Sequence, residues 1–163
     1  MILDVDGVMT DGRIAVDDRG VERKNFHVQD GSGIWLLRKL GVETAIISGR
    51  YAACTTVRAR ELRIWPIVQG SKDKRRSFEE VRSHHGLEAE QCAYMGDDLV
   101  DIALLRTVGV SAAPQNARPE VKRVVDVITE ARGGHGAVRE LAERIAREQP
   151  GYADLLARLQ VPS

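Results

Sequence analysis

The sequence predicts an α/β fold, a Rossmann-like doubly wound parallel sheet covered by helices on both faces. Short apolar runs typical of β-strands alternate along the chain with segments of helical periodicity. The connections between these segments are short, and such alternation favours parallel strands joined by helices. A chain of 163 residues suits a single domain that can bury a sizeable core.

The strands of this sheet are expected in five apolar runs, at 43–47, 64–68, 92–95, 108–112 and 124–128. Met1, Ile2 and Leu3 form a further strand, which is short for a central position. Pro66 has no backbone N–H to donate, so its strand is placed near the sheet edge. Helices are expected at 31–40, 51–62, 72–86, 98–106, 117–123 and 136–148. In the last of these, apolar side chains fall on one face.

One segment interrupts the alternation. Residues 13–17 and 21–28 are typical of two strands around a tight turn, so we expect a β-hairpin inserted after the first strand. The domain is expected to span residues 1–150, because Pro150 and Gly151 end the last long helix. The tail, residues 151–163, has the leucines of a short amphipathic turn that either docks on a neighbour or frays.

Composition excludes several classes of function. Basic and acidic residues balance at 24 each, so no bulk charge attracts nucleic acid or an anionic membrane. No apolar run approaches the about 18 residues of a membrane-spanning helix, and the N-terminus lacks the pattern of a secretory signal. Cys54 and Cys92 form no metal-binding pattern and are expected to be buried free thiols. These features favour a cytoplasmic protein.

Polar motifs follow the predicted strands repeatedly. They are Asp4-Val5-Asp6-Gly7, Ser48-Gly49-Arg50, Lys72-Asp73-Lys74 and Gly96-Asp97-Asp98. Ligands of open parallel sheets bind beyond the carboxyl ends of the strands, so these motifs are expected to converge on one crevice.

The residue types in that crevice indicate a chemistry. Clustered carboxylates repel one another and need a cation, and a site with only oxygen ligands suits Mg²⁺. A lysine and helix N-termini beside the metal make a site for a phosphate. A carboxylate aimed at the phosphorus can attack it, and a second one can protonate the leaving oxygen and then activate water.

Each motif also has a simpler interpretation. The first acidic pair could be a surface turn. It could also begin a calcium-binding loop, but Val8, Met9 and Ala15 stand at positions where such a loop needs other residues. Ser48 could cap a helix, and Lys74 could be a solvated charge. Asp97, Asp98 and Asp101 could be ordinary acidic residues at a helix start. The ordered set, with each member near a strand end, favours a functional site.

This ordered set resembles the haloacid dehalogenase superfamily of phosphatases. The resemblance rests on Asp4-Val5-Asp6-Gly7-Val8, Ser48-Gly49-Arg50, Lys74 and Gly96-Asp97-Asp98-Leu99-Val100-Asp101. Further likenesses are Thr10-Asp11-Gly12, the hairpin, Asp30-Gly31, Gln69-Gly70 and the loop that begins at Gly133. They are similar to the capless branch of 3-deoxy-D-manno-octulosonate 8-phosphate phosphatases and related nonulosonate 9-phosphate phosphatases, and the likeness covers roughly residues 2–148.

The resemblance implies a role for each motif residue. Asp4 would be the nucleophile and Asp6 the general acid–base. Mg²⁺ would be held by the Asp4 carboxylate, the Asp6 backbone carbonyl and the Asp97 carboxylate, with Asp98 or Asp101 supporting its waters or Lys74. Ser48 and Lys74 would hold the phosphoryl group with Gly49 and Arg50 nearby, and Lys72 matches the motif lysine less well. Thr10 and His135 would contact the substrate.

The resemblance also implies the partners. The substrate would be a sugar-acid phosphate of lipopolysaccharide biosynthesis, with octulosonate phosphate the first choice and a sialic-type 9-phosphate the second. The spacing from Asp6 to Ser48 and from Ser48 to Lys74 leaves no room for a cap domain. Members of this branch form tetramers whose neighbouring subunits close the site, so a homotetramer is expected. The hairpin and the Gly133–Gly136 loop would then lie at the subunit interface. Arginine is frequent at the position of His135, which leaves the sugar open.

Two other classes of function remain. A phospho-accepting receiver domain also gathers acidic residues, a hydroxyl and a lysine around Mg²⁺, but the order of the acidic motifs here disfavours it. A non-catalytic oligomerisation module of sialic acid activation is the other alternative. The intact set of Asp4, Asp6, Lys74 and Asp97 disfavours this second class.

Overall fold

A computed structural model describes residues 1–160 of the chain. The strands are β1 (Ile2–Leu3), β2 (Ala15–Val16), β3 (Glu22–Arg23), β4 (Ala45–Ser48), β5 (Ile67–Gln69), β6 (Ala93–Met95), β7 (Val110–Ala113) and β8 (Val127–Ile128). The α-helices are α1 (Val28–Lys39), α2 (Ala53–Glu61), α3 (Lys74–His84), α4 (Ile102–Leu105), α5 (Pro119–Lys122), α6 (Ala137–Arg147) and α7 (Tyr152–Arg158). Short 3₁₀ turns cover Ala89–Gln91 and Leu99–Asp101.

Six strands form one parallel sheet in the order β5-β4-β1-β6-β7-β8. Strands β2 and β3 pair separately as an antiparallel hairpin. The predicted Rossmann-like class is therefore confirmed, as is the hairpin insertion, and residues 1–160 contain no cap domain. Pro66 directly precedes β5, which is the edge strand, as the missing donor N–H predicts.

The core lies in two layers, one on each face of the sheet, because successive residues of a strand point to opposite faces. Leu3 packs in a cluster with Ile34 of α1 and Leu141 of α6. Ile2 packs in a second cluster with Phe78 of α3 and Leu104 of α4. Even a strand of two residues is thus fixed in its register, since a slip by one position would exchange its two faces.

Helix α6 buries the face that its periodicity predicts, with Val138, Leu141 and Ala142 inside. The tail continues as α7, whose Tyr152 and Leu155 pack against a small cluster built on α1 and α6. Residues 161–163, the last part of the predicted tail, lie outside the described residues. The division into a domain of residues 1–150 and a tail stays a prediction.

The boundaries of several elements shift by a few residues, and two elements differ from the prediction in kind or extent. The hairpin strands are shorter than the runs 13–17 and 21–28, because only Ala15–Val16 and Glu22–Arg23 pair. The helix expected at 98–106 is a 3₁₀ turn followed by the short α4. The cause of this second difference is the carboxylate of Asp101, which accepts the backbone N–H groups of Asp97 and Asp98 and tightens the first turn.

None of the described helices combines the length and the apolar character needed to cross a membrane.

Asp30 ties together α1 and α6, two of the helices that cover one face of the sheet. It is 3% exposed on α1, and its carboxylate accepts the backbone N–H of Arg139 in the first turn of α6 at 2.9 Å. Burial raises the pKa of Asp30 above its usual value, although the hydrogen bond from Arg139 works in the opposite direction. The carboxylate therefore supplies an acceptor that the α6 N-terminus needs, at the cost of burying a charge.

This balance predicts how stability depends on pH. The pKa of Asp30 is higher in the folded than in the unfolded state, so its favourable contribution is complete below the unfolded value and is lost as the pH rises through the folded one. Asp30→Asn keeps an acceptor that cannot ionise. We expect the unfolding free energy of this variant, relative to the wild type, to increase as the pH rises above about 4, where an unfolded aspartate ionises. Urea denaturation at several pH values measures it. Asp18→Asn, at an exposed site, is the control, and a difference independent of pH would contradict the prediction.

Candidate active site

Adjacent parallel strands bring the predicted motifs to one edge of the sheet. Strand β1 lies between β4 and β6, and Leu3 is opposite Ile46 on one side and Met95 on the other. The chain therefore leaves all three strands at nearly the same level. The aspartates that follow β1, the serine that ends β4 and the aspartates that follow β6 face one crevice, as their positions at strand ends predict.

Lys74 lies at the centre of this crevice and is largely buried. Its ammonium nitrogen is 2.8 Å from Oδ2 of Asp4 and 2.6 Å from Oδ1 of Asp101. It is the first residue of α3, and Asp73 caps that helix by accepting the backbone N–H of Arg76 at 3.1 Å. Burial would lower the pKa of Lys74, but the two carboxylates outweigh burial and raise it. Lys72 is exposed.

Asp101 is fully buried and holds the lysine in place. Its Oδ1 accepts the Tyr94 hydroxyl at 2.6 Å as well as the Lys74 ammonium. Its Oδ2 accepts the backbone N–H groups of Asp97 at 3.0 Å and Asp98 at 3.1 Å. Both oxygens of Asp101 are therefore already bonded to protein donors. Burial, together with the nearby carboxylates, raises the pKa of the Tyr94 hydroxyl well above its usual value.

The carboxylates of the crevice fit a divalent cation. Asp4, Asp97 and Asp101 each offer an oxygen within 4.8 Å of the others. Burial raises the pKa of Asp4 to about 6, although Lys74 opposes the shift. Burial and the charges of the neighbouring aspartates raise the pKa of Asp97 to about 7. One lysine does not balance three acids, and because Asp101 is committed elsewhere, Asp4 and Asp97 are the carboxylates free to hold Mg²⁺.

Glycines let the backbone approach this cluster closely. Gly7 has φ +85°, and a Cβ there would overlap the carboxylate of Asp97. A Cβ on Gly133 would overlap the carbonyl oxygen of Gly7, and Gly134 donates its N–H to the Val8 carbonyl at 3.0 Å. The loop that begins at Gly133 thus packs directly behind the turn that carries Asp4 and Asp6.

The hairpin reaches the crevice through charged side chains. The carboxylate of Asp6 is ion-paired with the Lys24 ammonium, and Arg50 Nε lies 3.6 Å from its other oxygen. Glu22 of β3 pairs with both cations, at 2.8 Å from each. Glu22, Lys24 and Tyr94 were not identified from the sequence. The only signal for Lys24 is the scarcity of lysine, and for Tyr94 it is a hydroxyl in a buried strand.

The outer residues of the predicted site are arranged in different ways. Ser48 is buried and its Oγ accepts the backbone N–H of Arg50 at 3.4 Å, while Gly49 is exposed beside it. Thr10 is 1% exposed, and its hydroxyl donates to the Val5 carbonyl at 3.3 Å within the same loop.

Two further predicted residues lie at the surface of the crevice region. Asp98 is exposed and accepts the N–H of Leu99 at 2.7 Å. The His135 side chain is exposed, and no hydrogen bond or ion pair joins it to another residue within the range 1–160. The substrate contacts assigned to Thr10 and His135 stay predictions.

Comparison with known families identifies the chain. A sequence profile of the haloacid dehalogenase-like hydrolases matches residues 34–141. The chain belongs to this family. It is 40% identical over 149 residues to a 3-deoxy-D-manno-octulosonate 8-phosphate phosphatase of Yersinia pestis, an alignment that covers 91% of this chain and 80% of the relative. The phosphatase of the same name from Escherichia coli K12 is 38% identical to this chain, in an alignment that covers 91% of this chain and 79% of that relative.

Solved structures agree with these likenesses. The 3-deoxy-D-manno-octulosonate 8-phosphate phosphatase of Moraxella catarrhalis, in complex with a magnesium ion, a phosphate ion and a KDO molecule, superposes with TM-score 0.93 at 39% identity, covering 97% of this chain and 91% of that one. A probable YrbI-family phosphatase of Pseudomonas syringae gives 0.94 at 41%, covering 99% and 92%. The expected superfamily and capless branch are confirmed, and with them a phosphoric monoester hydrolase that uses Mg²⁺.

The close approach at Gly7 gives a test of the metal site. In Gly7→Ala the new methyl group would displace the Asp97 carboxylate, so we expect Mg²⁺ affinity to fall about 10–100-fold, as for other disturbances around metal ligands. Calorimetric titration with Mg²⁺ measures this change. Gly20→Ala is the matched control, since it has φ +76° and nothing within 4 Å of its Cβ. Equal affinities in the two variants would show that the overlap with Asp97 does not matter.

Proposed function

We propose that this chain hydrolyses 3-deoxy-D-manno-octulosonate 8-phosphate through an aspartyl phosphate on Asp4. The observation that carries the proposal is the buried contact between Lys74 and Asp4, beside the carboxylate of Asp97. It supports a nucleophile, a phosphate-binding cation and a metal-binding carboxylate within one crevice. The substrate is taken from the relatives, which are about 40% identical across nearly the whole chain.

The arrangement of these residues and the family resemblance support one role for each of them. The Asp4 carboxylate attacks phosphorus, and the carboxyl of Asp6, two residues away, protonates the departing sugar oxygen. In the second step Asp6 takes a proton from water, whose oxygen attacks phosphorus and releases Asp4. Lys74 and Ser48 hold the phosphoryl oxygens, with Gly49 and Arg50 beside them.

Mg²⁺ would be held by the Asp4 and Asp97 carboxylates and the Asp6 carbonyl, and it would neutralise the phosphate charge. Asp101 keeps Lys74 in position, and Asp98 shapes the turn that presents Asp97. A positive site beside a nucleophile is most of what phosphoryl transfer requires, because that reaction depends chiefly on positioning and charge neutralisation.

The nucleophile is tested directly. Asp4→Asn keeps the size of the side chain but removes its nucleophilic charge, so we expect kcat to fall by about 10⁴-fold or more. Phosphate release from p-nitrophenyl phosphate and from octulosonate 8-phosphate, each with Mg²⁺, measures it. Asp18→Asn, which neutralises an exposed aspartate, should retain full activity. Turnover in Asp4→Asn equal to that of the wild type would exclude the mechanism. If the wild type became labelled with phosphate once and did not turn over, it would be a receiver domain.

The identity of the sugar is decided by a second measurement. Values of kcat/KM for octulosonate 8-phosphate, a nonulosonate 9-phosphate and simple hexose phosphates rank the candidates by transition-state stabilisation. We expect octulosonate 8-phosphate to rank first. A higher value for the 9-phosphate would assign the chain to the neighbouring specificity.

We further propose that the protein acts in the cytoplasm as a homotetramer whose subunits close the open crevice. Exposed apolar side chains support this assembly. Ile14, Val16 and Val21 on the hairpin are between 50% and 59% exposed, and Leu99 and Val100 beside Asp98 are 53% and 69% exposed. Exposed apolar side chains on elements that border a site are typical of a protein interface where they form a continuous patch. Light scattering measures the mass in solution, and a monomer would overturn the proposal.

A further inference from the structure

A closed set of four charges surrounds the Asp6 carboxylate at the mouth of the crevice. Lys24 pairs with Asp6 Oδ1 and lies 2.8 Å from Glu22 Oε1. Arg50 lies 3.6 Å from Asp6 Oδ2 and 2.8 Å from Glu22 Oε2. Two acids and two bases alternate around the set, so its formal charge is zero. Each oxygen of Asp6 thus faces a different cation.

The two cations differ in how firmly they are held. The Lys24 side chain is 1% exposed, whereas that of Arg50 is 49% exposed. An ammonium taken out of water is stable only where carboxylates compensate it, and leaving one unpaired is costly. Lys24 is therefore a fixed contact that ties the hairpin to Asp6, while Arg50 remains in contact with solvent and can exchange partners.

We propose that Lys24 is a positioning residue, which orients the Asp6 carboxyl toward the oxygen that leaves phosphorus. This inference rests on the proposed phosphatase function. Asp6 lies in the connection after β1, and a side chain there can adopt several rotamers unless a neighbour selects one. The buried ammonium selects the rotamer from outside the turn, 18 residues along the chain. A general acid must be within hydrogen-bond reach of the atom it protonates, so this selection bears on the rate.

Glu22 allows the same lysine to serve both halves of the reaction. In the first step the ester P–O bond breaks as Asp4 bonds to phosphorus, and the sugar oxygen takes the proton of Asp6. Before that transfer Asp6 is neutral, and Glu22 still compensates the Lys24 charge. In the second step Asp6 is an anion that takes a proton from water, and Lys24 pairs with it. The ammonium itself gains and loses no proton.

The rival explanation is that Lys24 only anchors the hairpin. The two explanations differ in how the rate depends on the leaving group. p-Nitrophenolate is a stable anion that leaves without a proton, whereas an alkoxide needs one. A misplaced Asp6 therefore slows phosphoryl transfer from alkyl phosphates but not from p-nitrophenyl phosphate. A loosened hairpin lowers both rates by the same factor when the two substrates have similar size and neither carries the sugar.

The test compares Lys24→Met, which keeps the length of the side chain without its charge, with Arg23→Met. Arg23 is the neighbouring residue on β3, with a side chain 75% exposed. Values of kcat/KM are measured with Mg²⁺ for p-nitrophenyl phosphate and for benzyl phosphate, an alkyl ester of similar size, because this parameter ends at the first irreversible step. In Lys24→Met we expect the ratio of the two values to shift by about 10²-fold against the alkyl substrate, the scale of general acid catalysis. Arg23→Met should leave the ratio unchanged.

An unchanged ratio in Lys24→Met would overturn the inference, whether both rates fall or neither does. The ratio is measured within one sample, so partial unfolding of the variant lowers both rates and leaves it intact. Lys24→Leu, which also removes both the charge and the donor for Asp6, is the second variant if Lys24→Met does not fold, and the same ratio decides it. Lack of turnover in the wild type would refute the proposed function instead, and thus distinguishes the two failures.

Discussion

The ion pairs of Lys74 with Asp4 and Asp101 are the interaction on which the site depends. Three carboxylates within 4.8 Å repel one another in a largely buried place, where water screens them little. Lys74 offsets part of that repulsion, and it can do so only because α3 begins at this residue beside the central strands. The remaining negative charge is what makes the crevice a metal site. The start of α3 beside the central strands thus decides how much negative charge remains in the crevice to attract a cation.

The sequence predicts the interior of the site well because parallel strands end at a common edge. Asp4, Ser48 and Asp97 follow from their places after apolar runs. Lys24 could not be predicted in the same way, since its role depends on the angle at which the hairpin turns back over Asp6. Local patterns carry no information about that angle.

Helix boundaries show a second reason for error. Helix α1 begins at Val28, before the predicted start at 31, and its N-cap, His27, makes no side-chain capping hydrogen bond that would mark this start in the sequence. The helix also includes Gly31 and Gly33, as predicted, although glycine disfavours helices in isolation. Tertiary packing explains both glycines. A Cβ on Gly33 would lie 3.0 Å from the Ala142 side chain of α6, and one on Gly31 would lie 2.9 Å from Arg58. Close contact between helices outweighs intrinsic propensity here, which no local pattern reveals.

Because residues 1–160 contain no cap domain, the interior and the mouth of the crevice have different tasks. In the interior, Lys74 and Asp101 are buried, multiply bonded and anchored to the sheet, so the chemistry of phosphoryl transfer cannot vary much without loss of the fold. At the mouth, the buried lysine of the hairpin orients Asp6. Arg50 is half exposed and pairs with Glu22, a partner that it can exchange for another anion. An arriving anionic group competes with Glu22 for Arg50, at little cost to the rest of the structure. Selection of the substrate can therefore change at the mouth while the reaction in the interior stays the same.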